Sequence, residues 1–440
     1  MRKTLTKHII ITTVLLIICT SAVSAGKTSA LQSDTLTEYR ADSMLVAQLR
    51  QQGVSFSHDN SVTLLMSGQE KFDDLFQTIR QARESIHMEY FNFRNDSIAN
   101  LLYNILGEKA AQGVEVRLLY DAFGNSSNNQ PLKKKHLDRI RSMGIQIYEF
   151  DPIRFPWVNH VFARDHRKIV VIDGKIAYTG GMNVADYYIN GTPVVGEWHD
   201  MHCRIEGPEV NTLQRIFISA WKKVTKEDIT APKYFRANDL TPSDFTERYT
   251  TDCPSAGHQM VGIINREPHT SNKIIRQFYL NAINDARDSI KLINPYFTLS
   301  HKLKKALKRA VKRGVKVEIM LSVKSDIPLT PDCGFYNAHK LMKKGCHVWM
   351  YKPGFHHTKI IMVDGQFCTV GSANLNARSL RWDYEDNAVI IDACTTQQLS
   401  DLFDSQKQDS FLLTPQTWNE WRSPWQKFRG WFAHLLAPFL

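Results

Sequence analysis

The sequence predicts an α/β protein made of two tandem halves, each an α/β sandwich, that share one composite site. Two segments, beginning at His166 and His357, carry the same pattern: His-x-Lys, four apolar residues and Asp-Gly. Further matches surround both segments at a nearly constant offset, which indicates duplication of a whole domain. Within each half, helix-like patterns alternate with strand-like patterns, as in sheets that are covered by helices.

Both halves predict the same order of elements: helix, strand, helix, strand and a hairpin at the motif. The first helix is predicted to follow a capping box of Ser67 and Glu70. Strands are predicted over residues 85–93 and 289–297, and each is followed by a basic helix, a Gly-Val pair and another apolar strand. The first half has extra residues at 151–165, which we expect to form part of a pocket rim.

The motif hairpins contain residues that suit chemistry and residues that suit a turn. Side chains two apart on a strand share a face, so the histidine and lysine of each motif project together. The pairs are His166 with Lys168 and His357 with Lys359. Asp173 and Asp364 each begin a two-residue Asp-Gly hairpin turn, for which structural work is favoured over direct chemistry.

Small residues and an asparagine follow each motif at matching distance. They are Gly181 and Asn183 in the first half and Ser372 and Asn374 in the second half. The small residues alone are compatible with tight turns. Strand and turn physics do not require histidine, lysine and asparagine twice, so the repeated set predicts a chemical function.

Composition agrees with this organisation. The 440 residues are 43% hydrophobic, which is enough for two cores. The 55 basic and 44 acidic residues give a net charge of +11, which favours anionic lipid surfaces or nucleic acid as partners. The seven cysteines have irregular spacings and predict no disulfide framework. The sequence has no metal-ligand spacing and no Gly-rich phosphate loop, so it predicts neither a metal nor another cofactor.

Both ends of the chain carry signals for location. Basic residues precede an apolar run at 9–19 and small residues at 22–25, so residues 1–25 are predicted to be a signal peptide or an N-terminal membrane anchor. Residues 401–440 form a basic, aromatic tail. That composition suits a helix at an anionic membrane interface, a helix packed on the domain, or both.

The repeated motifs, with their downstream Gly or Ser and Asn, resemble those of the phospholipase D superfamily. A narrower similarity to bacterial cardiolipin synthases rests on residues 159–173, 180–188, 198–208, 294–297, 371–380 and the aromatic tail. The resemblance covers roughly residues 60–440. Two departures are the single apolar N-terminal segment, where synthases usually have two, and Asp383, where they more often have asparagine.

The resemblance implies two tandem phospholipase D-like α/β sandwich domains packed as a pseudo-dimer around one shared active site. The expected boundaries are residues 26–60 for a linker, 61–250 for the first domain, 251–400 for the second and 401–440 for a membrane-proximal tail.

The resemblance also implies a metal-independent reaction through a phosphohistidine. An anionic phosphodiester resists attack, so the site needs a neutral nucleophile, positive charge and a proton for the leaving alkoxide. Family precedent makes His166 the nucleophile and His357 the acid and base, although the near symmetry of the motifs leaves the reverse open. The residues expected to bind the non-bridging oxygens are Lys168, Lys359, Asn183 and Asn374.

Two carboxylates are candidates to orient the imidazoles. Glu385 lies where the superfamily has such a carboxylate, and Asp200 is the candidate counterpart in the first half. The alternative for Asp200 is an ordinary surface carboxylate.

The expected reaction transfers the phosphatidyl group of one phosphatidylglycerol to a second, which makes cardiolipin and releases glycerol. The alternatives are a secreted phospholipase D that uses water, a phospholipase D-type nuclease and a non-catalytic lipid-binding protein. Because both motifs are complete, the last is disfavoured. The expected partners are anionic phospholipid and a membrane surface, without nucleic acid. The expected location is the bacterial cell membrane, with the catalytic domains extracytoplasmic or periplasmic.

Overall fold

The computed structural model describes residues 44–153, 162–240, 255 and 257–437. The described residues from 49 onward belong to one compact unit, and the description below concerns that unit. The predicted signal or anchor at 1–25, most of the linker at 26–60 and residues 154–161 of the predicted rim lie outside the described residues.

The described residues form seventeen strands. In chain order they are β1 Ser57–Leu65, β2 Ser85–Tyr90, β3 Glu115–Asp121, β4 Gln146–Phe150, β5 Lys168–Ile172, β6 Ile176–Gly180, β7 Trp198–His199, β8 His202–Glu206, β9 Gln259–Arg266, β10 Ser289–Ile293, β11 Lys316–Ser322, β12 His347–Tyr351, β13 Phe355–His356, β14 Ile360–Val363, β15 Phe367–Gly371, β16 Glu385–Ile391 and β17 Ser410–Leu412.

The α-helices between and after these strands are α1 Gly68–Gln81, α2 Ser97–Ala111, α3 Ala122–Ser126, α4 Lys134–Ser142, α5 Tyr187–Asn190, α6 Val210–Thr225, α7 Ile274–Asp285, α8 His301–Lys312, α9 Thr330–Met342, α10 Ala377–Arg381, α11 Ala393–Gln406, α12 Pro415–Trp421 and α13 Pro424–Leu435. Ser67 caps α1 as predicted, since its side chain accepts a hydrogen bond from Glu70 N. The Glu70 carboxylate accepts a hydrogen bond from Met66 N. The predicted capping box would have it accept from Ser67 N, one residue later.

Fifteen of the described strands form one mixed sheet, in the order β17-β12-β11-β10-β14-β15-β16-β9-β1-β8-β6-β5-β2-β3-β4. The antiparallel pairing of β1 with β9 joins the two halves. Counted outward from this pair, the first seven strands of each half follow the same order, and the second half adds β17 at its edge. The duplication seen in the sequence is therefore a pseudo-twofold arrangement in the sheet. The remaining two strands, β7 and β13, pair in parallel with each other.

Both faces of the sheet are covered, which explains why the motif strands are apolar throughout. In β5, Val170 and Ile172 face a core that contains residues of α1 and α2. Ile169 and Val171 face a second core, to which α6, α11 and strands of both halves contribute. Alternate residues of a strand point to opposite faces, so a strand buried on both sides lacks polar alternation. The predicted α/β fold of two packed halves is confirmed.

The motif turns lie where predicted, at Asp-Gly. Asp173 and Gly174 have φ values of 53° and 63°, and Asp364 and Gly365 have 53° and 66°, the positive values that Asp-Gly favours in hairpin turns. The register pairs Ile172 with Ile176 and Val363 with Phe367, so three residues rather than the predicted two separate the paired strands. The predicted strands at 85–93 and 289–297 end earlier, at Tyr90 and Ile293, because the residues that follow turn away toward the site.

The basic, aromatic tail folds into β17, α12 and α13, within the described residues up to 437. No helix in the described part of the chain has both the length and the apolar content needed to cross a bilayer. The boundaries predicted for the separate domains stay predictions.

Candidate active site

A cavity of about 900 Å³ lies between the two halves, and both motif histidines line it. Residues of the first half, including Asn183 and Trp198, and of the second half, including Tyr296 and Asn374, contribute to the same wall. The structure therefore brings the two copies of the motif to a single site.

Backbone pairing across the halves sets the position of each histidine. His166 lies two residues before Lys168, the first residue of β5, and its N–H donates to Tyr384 O at 3.0 Å. His357 follows β13, and its N–H donates to His199 O at 2.6 Å. In both cases the residue that accepts directly precedes a carboxylate, Glu385 or Asp200. The crossing of the two halves thus places each imidazole beside a carboxylate from the other half.

The side chains complete these crossed pairs. His166 Nδ1 lies 3.0 Å from Glu385 Oε2, and His357 Nδ1 lies 2.6 Å from Asp200 Oδ2. Both carboxylates are fully buried. Because each Nδ1 is engaged, Nε2 is the nitrogen of each ring that can meet a substrate, and in His357 this atom also lies 3.3 Å from Lys359 Nζ. Buried carboxylates that bond Nδ1–H fix the tautomer and orientation of an imidazole.

The electrostatics of the two pairs differ. Burial raises the pKa of Glu385 to about 7, even though Lys168 and Ser372 oppose the shift. Burial also opposes the ionisation of Asp200, yet Lys359 and His357 hold the pKa of Asp200 below its ordinary value. Near neutral pH, Asp200 is therefore ionised while Glu385 is close to half-protonated.

Both imidazoles are neutral in this environment. Burial lowers the pKa of His166 well below its ordinary value, and Lys168 adds to the effect. Burial likewise lowers the pKa of His357 to about 4, with Lys359 as the next cause. A neutral imidazole has the lone pair that a nucleophile or general base needs.

Both motif lysines are buried directly beneath the histidines. Lys168 Nζ donates to His166 O at 2.5 Å, and Lys359 Nζ bonds His357 O and lies 2.9 Å from His357 Nδ1. Burial lowers the pKa of Lys168 to about 8 and also lowers the pKa of Lys359. The lysines supply positive charge from behind the imidazoles, and neither of them lines the cavity wall.

The two asparagines do line the cavity. The side chains of Asn183 and Asn374 are buried, and the Oδ1 atom of each has no hydrogen-bond partner. Buried polar atoms in folded proteins are nearly always paired, so two amide oxygens on one cavity wall without a partner among the described residues indicate groups prepared for a polar ligand.

Gly181 and Ser372 each stand beside one of the carboxylates. Ser372 Oγ donates to Glu385 Oε2 at 2.5 Å. A Cβ atom at Gly181 would lie 2.1 Å from Asp200 Oδ1, so only glycine leaves room for that carboxylate. Ser372 therefore lies behind the imidazoles, where it orients Glu385, and it does not line the cavity.

The motif aspartates lie outside the cavity. The Asp173 carboxylate accepts from the backbone N–H groups of Arg83, Glu84 and Ser85. Asp364 binds the equivalent amides ahead of β10. Each aspartate is separated from its motif lysine by a whole strand, about 17 Å for β5. These contacts agree with the structural work favoured for Asp173 and Asp364 over direct chemistry: each aspartate fixes the entry of a neighbouring strand.

Sequence reasoning missed two neighbours of the site. Phe91 packs edge-on against His166, with ring centroids 5.0 Å apart. Lys71 is fully buried on α1, and its Nζ lies 3.4 Å from Asn183 O. Lys71 shares a helix face with the core residues Leu75 and Thr78, and a lysine at a core position was the available signal.

The chain matches the family described as cardiolipin synthase, phospholipase D-like domain, over residues 75–221 and 279–407. The chain belongs to this family. A cardiolipin synthase of Listeria monocytogenes is 33% identical over 389 residues, which cover 88% of this chain and 77% of the relative. A cardiolipin synthase of Staphylococcus aureus is 36% identical over 384 residues, which cover 87% and 74%. The protein is therefore an enzyme of the cardiolipin synthase type, a phosphatidyltransferase of the phospholipase D superfamily.

A solved structure supports the fold. The phosphatidylserine synthase of Haemophilus influenzae superposes with a TM-score of 0.67 at 16% identity, over 91% of this chain and 99% of that one. At this identity the likeness concerns the fold alone. Within the described residues, no cluster of three or more His, Cys, Asp or Glu side chains could hold a metal ion. Independence from metal remains a prediction.

Proposed function

We propose that this phosphatidyltransferase makes cardiolipin and glycerol from two molecules of phosphatidylglycerol through a phosphohistidine. One observation carries the proposal: two neutral imidazoles, each held at Nδ1 by a buried carboxylate of the opposite half, face one cavity. Two-step transfer needs one nitrogen to attack phosphorus and a second group to move protons, and this pair of rings supplies both.

In the first step, Nε2 of one histidine attacks phosphorus, and the bond from phosphorus to the oxygen of the headgroup glycerol breaks. The other histidine, which is neutral in the resting site and takes up one proton before the cycle begins, donates that proton to the oxygen as an imidazolium, and glycerol leaves. In the second step the same histidine, now neutral, takes the proton from a hydroxyl of the second phosphatidylglycerol. That oxygen attacks the phosphohistidine, cardiolipin forms and the first imidazole is restored.

The two carboxylates favour His166 as the nucleophile and His357 as the acid and base. The acid must pass through an imidazolium, which an ionised partner stabilises. His357 has that partner, because Asp200 is ionised and lies only 2.6 Å away. His166 pairs with Glu385, whose pKa of about 7 makes it a weaker stabiliser of an imidazolium. The neutral form is thus favoured at His166, as a nucleophile requires.

The remaining polar groups bind the phosphate. Asn183 and Asn374 lie on the cavity wall, where each unpaired Oδ1 can accept from a substrate hydroxyl and each Nδ2 group is the donor for a phosphate oxygen. Lys168 and Lys359 lower the energy of the added negative charge from beneath the rings. The partner implied is anionic phospholipid at a bacterial cell membrane, with the catalytic halves extracytoplasmic or periplasmic.

The test is incubation of the purified protein with phosphatidylglycerol vesicles in the presence of a chelator, with separation of the lipid products. Cardiolipin and glycerol in equal amounts, unaffected by the chelator and absent for His166→Ala, are the expected result. Phosphatidic acid in place of cardiolipin would make the enzyme a hydrolase. Cleavage of DNA without any lipid turnover would make it a nuclease.

A further inference from the structure

Helix α13 presents an aromatic face to solvent. Its large side chains are exposed by between 46% and 64%: Trp425, Phe428, Trp431, Phe432 and Leu435. Neighbouring rings of this face stack on one another, with centroids 5.5 Å apart for Trp425 and Phe428. Contiguous exposed apolar surface is rare on soluble proteins and marks a site of interaction.

The opposite side of α13 explains why these rings do not turn inward. Small residues fill that side: Gly430 packs against Asp332 of α9, where an added Cβ would lie 2.9 Å from the Asp332 carbonyl oxygen. Ala433 is fully buried against Cys333. Arg429 forms an ion pair with Asp332, which fixes the rotation of the helix about its axis. The aromatic face is therefore held outward by the packing.

Helix α13 packs beside residues that line the active-site cavity. The residues of α9 on which α13 packs follow directly after Ile327 and Thr330, which line the cavity. Leu329 packs in the same cluster as Ala433. Ile327 is 37% exposed at the rim, and Val194, on a loop closed by paired hydrogen bonds between Thr192 and Gly196, is 80% exposed there.

Basic residues stand next to the aromatic face. Lys304 of α8 lies 3.3 Å from His434 of α13, so the two helices touch. The side of α8 that faces solvent carries the exposed cations Lys302, Lys305 and Lys312, while Arg309 and Arg313 donate to Asn284 and to backbone carbonyls near the end of α7. A second copy of the chain docked on this face would bring like charges together, whereas an anionic surface is complementary to them.

We propose that the outer faces of α13 and α8, with Val194 and Ile327 at the cavity rim, form one docking face for a bilayer containing anionic phospholipid. The aromatic side chains enter the interface between headgroups and acyl chains, the cations contact the headgroups, and the cavity mouth opens toward the lipid. This proposal rests on the proposed function, because it identifies the surface through which that site takes its lipid substrate.

The test measures amide hydrogen exchange by mass spectrometry on the full chain, with and without vesicles. His166→Ala is used as the background, so that no lipid is turned over. Exchange over residues 424–435 and 192–196 is expected to slow severalfold with phosphatidylglycerol vesicles, and much less with phosphatidylcholine vesicles. Residues 146–150, at the opposite edge of the sheet, serve as the internal control. The readout is local, so it does not depend on how residues 1–25 behave at a membrane.

A triple variant, Trp425→Ser with Phe428→Ser and Phe432→Ser, is expected to lose the protection. Tyr148→Ser, which removes an aromatic ring exposed by 43% on β4, is the matched control and is expected to retain it. In an otherwise native chain, the triple variant is expected to lose most turnover of vesicle lipid but keep turnover of lipid dissolved in detergent micelles.

Unchanged exchange at 424–435 in the presence of anionic vesicles would overturn the docking face. Protection that is present without lipid, in a dimer that the triple variant dissociates, would overturn it in favour of a second copy. Vesicle-dependent protection in a protein without phosphatidyltransferase activity would keep the docking face and reject the proposed function.

Discussion

Replacing Glu385 with glutamine tests two effects of this carboxylate. Its burial lowers the free energy of unfolding near neutral pH, and its contact with His166 supports catalysis. The side chain is fully buried, and burial raises its pKa from 4.5 to about 7. Below pH 4.5 the group is protonated in both the folded and the unfolded chain, so it costs nothing. As the pH rises toward 7 the unfolded chain releases the proton first, and the folded state loses stability. The shift corresponds to about 3 kcal/mol at full development.

Glutamine does not titrate, so Glu385→Gln removes this pH dependence. The variant is expected to gain about 2–3 kcal/mol relative to the native protein between pH 5 and pH 8, measured by denaturant unfolding at both values. Comparing two pH values cancels any constant effect of the amide on packing. Activity is expected to fall by about a hundredfold or more, because the amide does not stabilise positive charge on His166.

Glu318→Gln is the control of opposite sign. Burial opposes the ionisation of Glu318, but Lys407 and Lys316 hold its pKa below the ordinary value. That ionised carboxylate contributes stability that is nearly complete above pH 4.5 and is lost as the pH falls below it, so its replacement is expected to destabilise about equally at pH 5 and pH 8, and less at pH 3. A relative stability of Glu385→Gln that does not change with pH, or a fully active variant, would refute the reasoning.

Three further predictions concern other parts of the site. Gly181→Ala is expected to lower kcat by at least about tenfold in steady-state assays, because its Cβ must displace Asp200 from His357; an unchanged kcat would show that the crossed pair is dispensable. Asp173→Ala is expected to cost about 2–3 kcal/mol in denaturant unfolding while kcat per folded molecule is kept, since its carboxylate binds three backbone amides; a large loss of kcat at full stability would return it to the chemistry. Lys359→Met is expected to raise the pKa of Asp200 and move the acid limb of the kcat/KM profile to higher pH; a limb that stays in place would contradict the assigned charge of Asp200.

Much of the fold could be predicted from the pattern of residues within short segments. The repeated motif predicted the two halves, because strand periodicity and Asp-Gly turns are properties of short segments. The same segments predicted which residue types meet at the site, and the structure does bring His166, His357 and both asparagines to one cavity.

The crossing of the halves was not predictable from short segments. Each half contains a histidine and a carboxylate, and pairing within a half would have been equally compatible with the sequence. The crossed arrangement depends on the pairing of Asp165 with Tyr384 and of β13 with β7, which are contacts between residues far apart in the chain. The positions of Lys168 and Lys359 beneath the rings depend on the same packing.

The stereochemical course at phosphorus distinguishes transfer through a phosphohistidine from direct attack by the acceptor. Phosphatidylglycerol made chiral at phosphorus by isotopes of oxygen or by sulfur is converted to product, and the configuration is read by phosphorus NMR. Transfer through a phosphohistidine on His166 takes two displacements, each with inversion at phosphorus, so overall retention of configuration is expected. Overall inversion would mean that the acceptor attacks the lipid directly, and it would contradict the two-histidine mechanism.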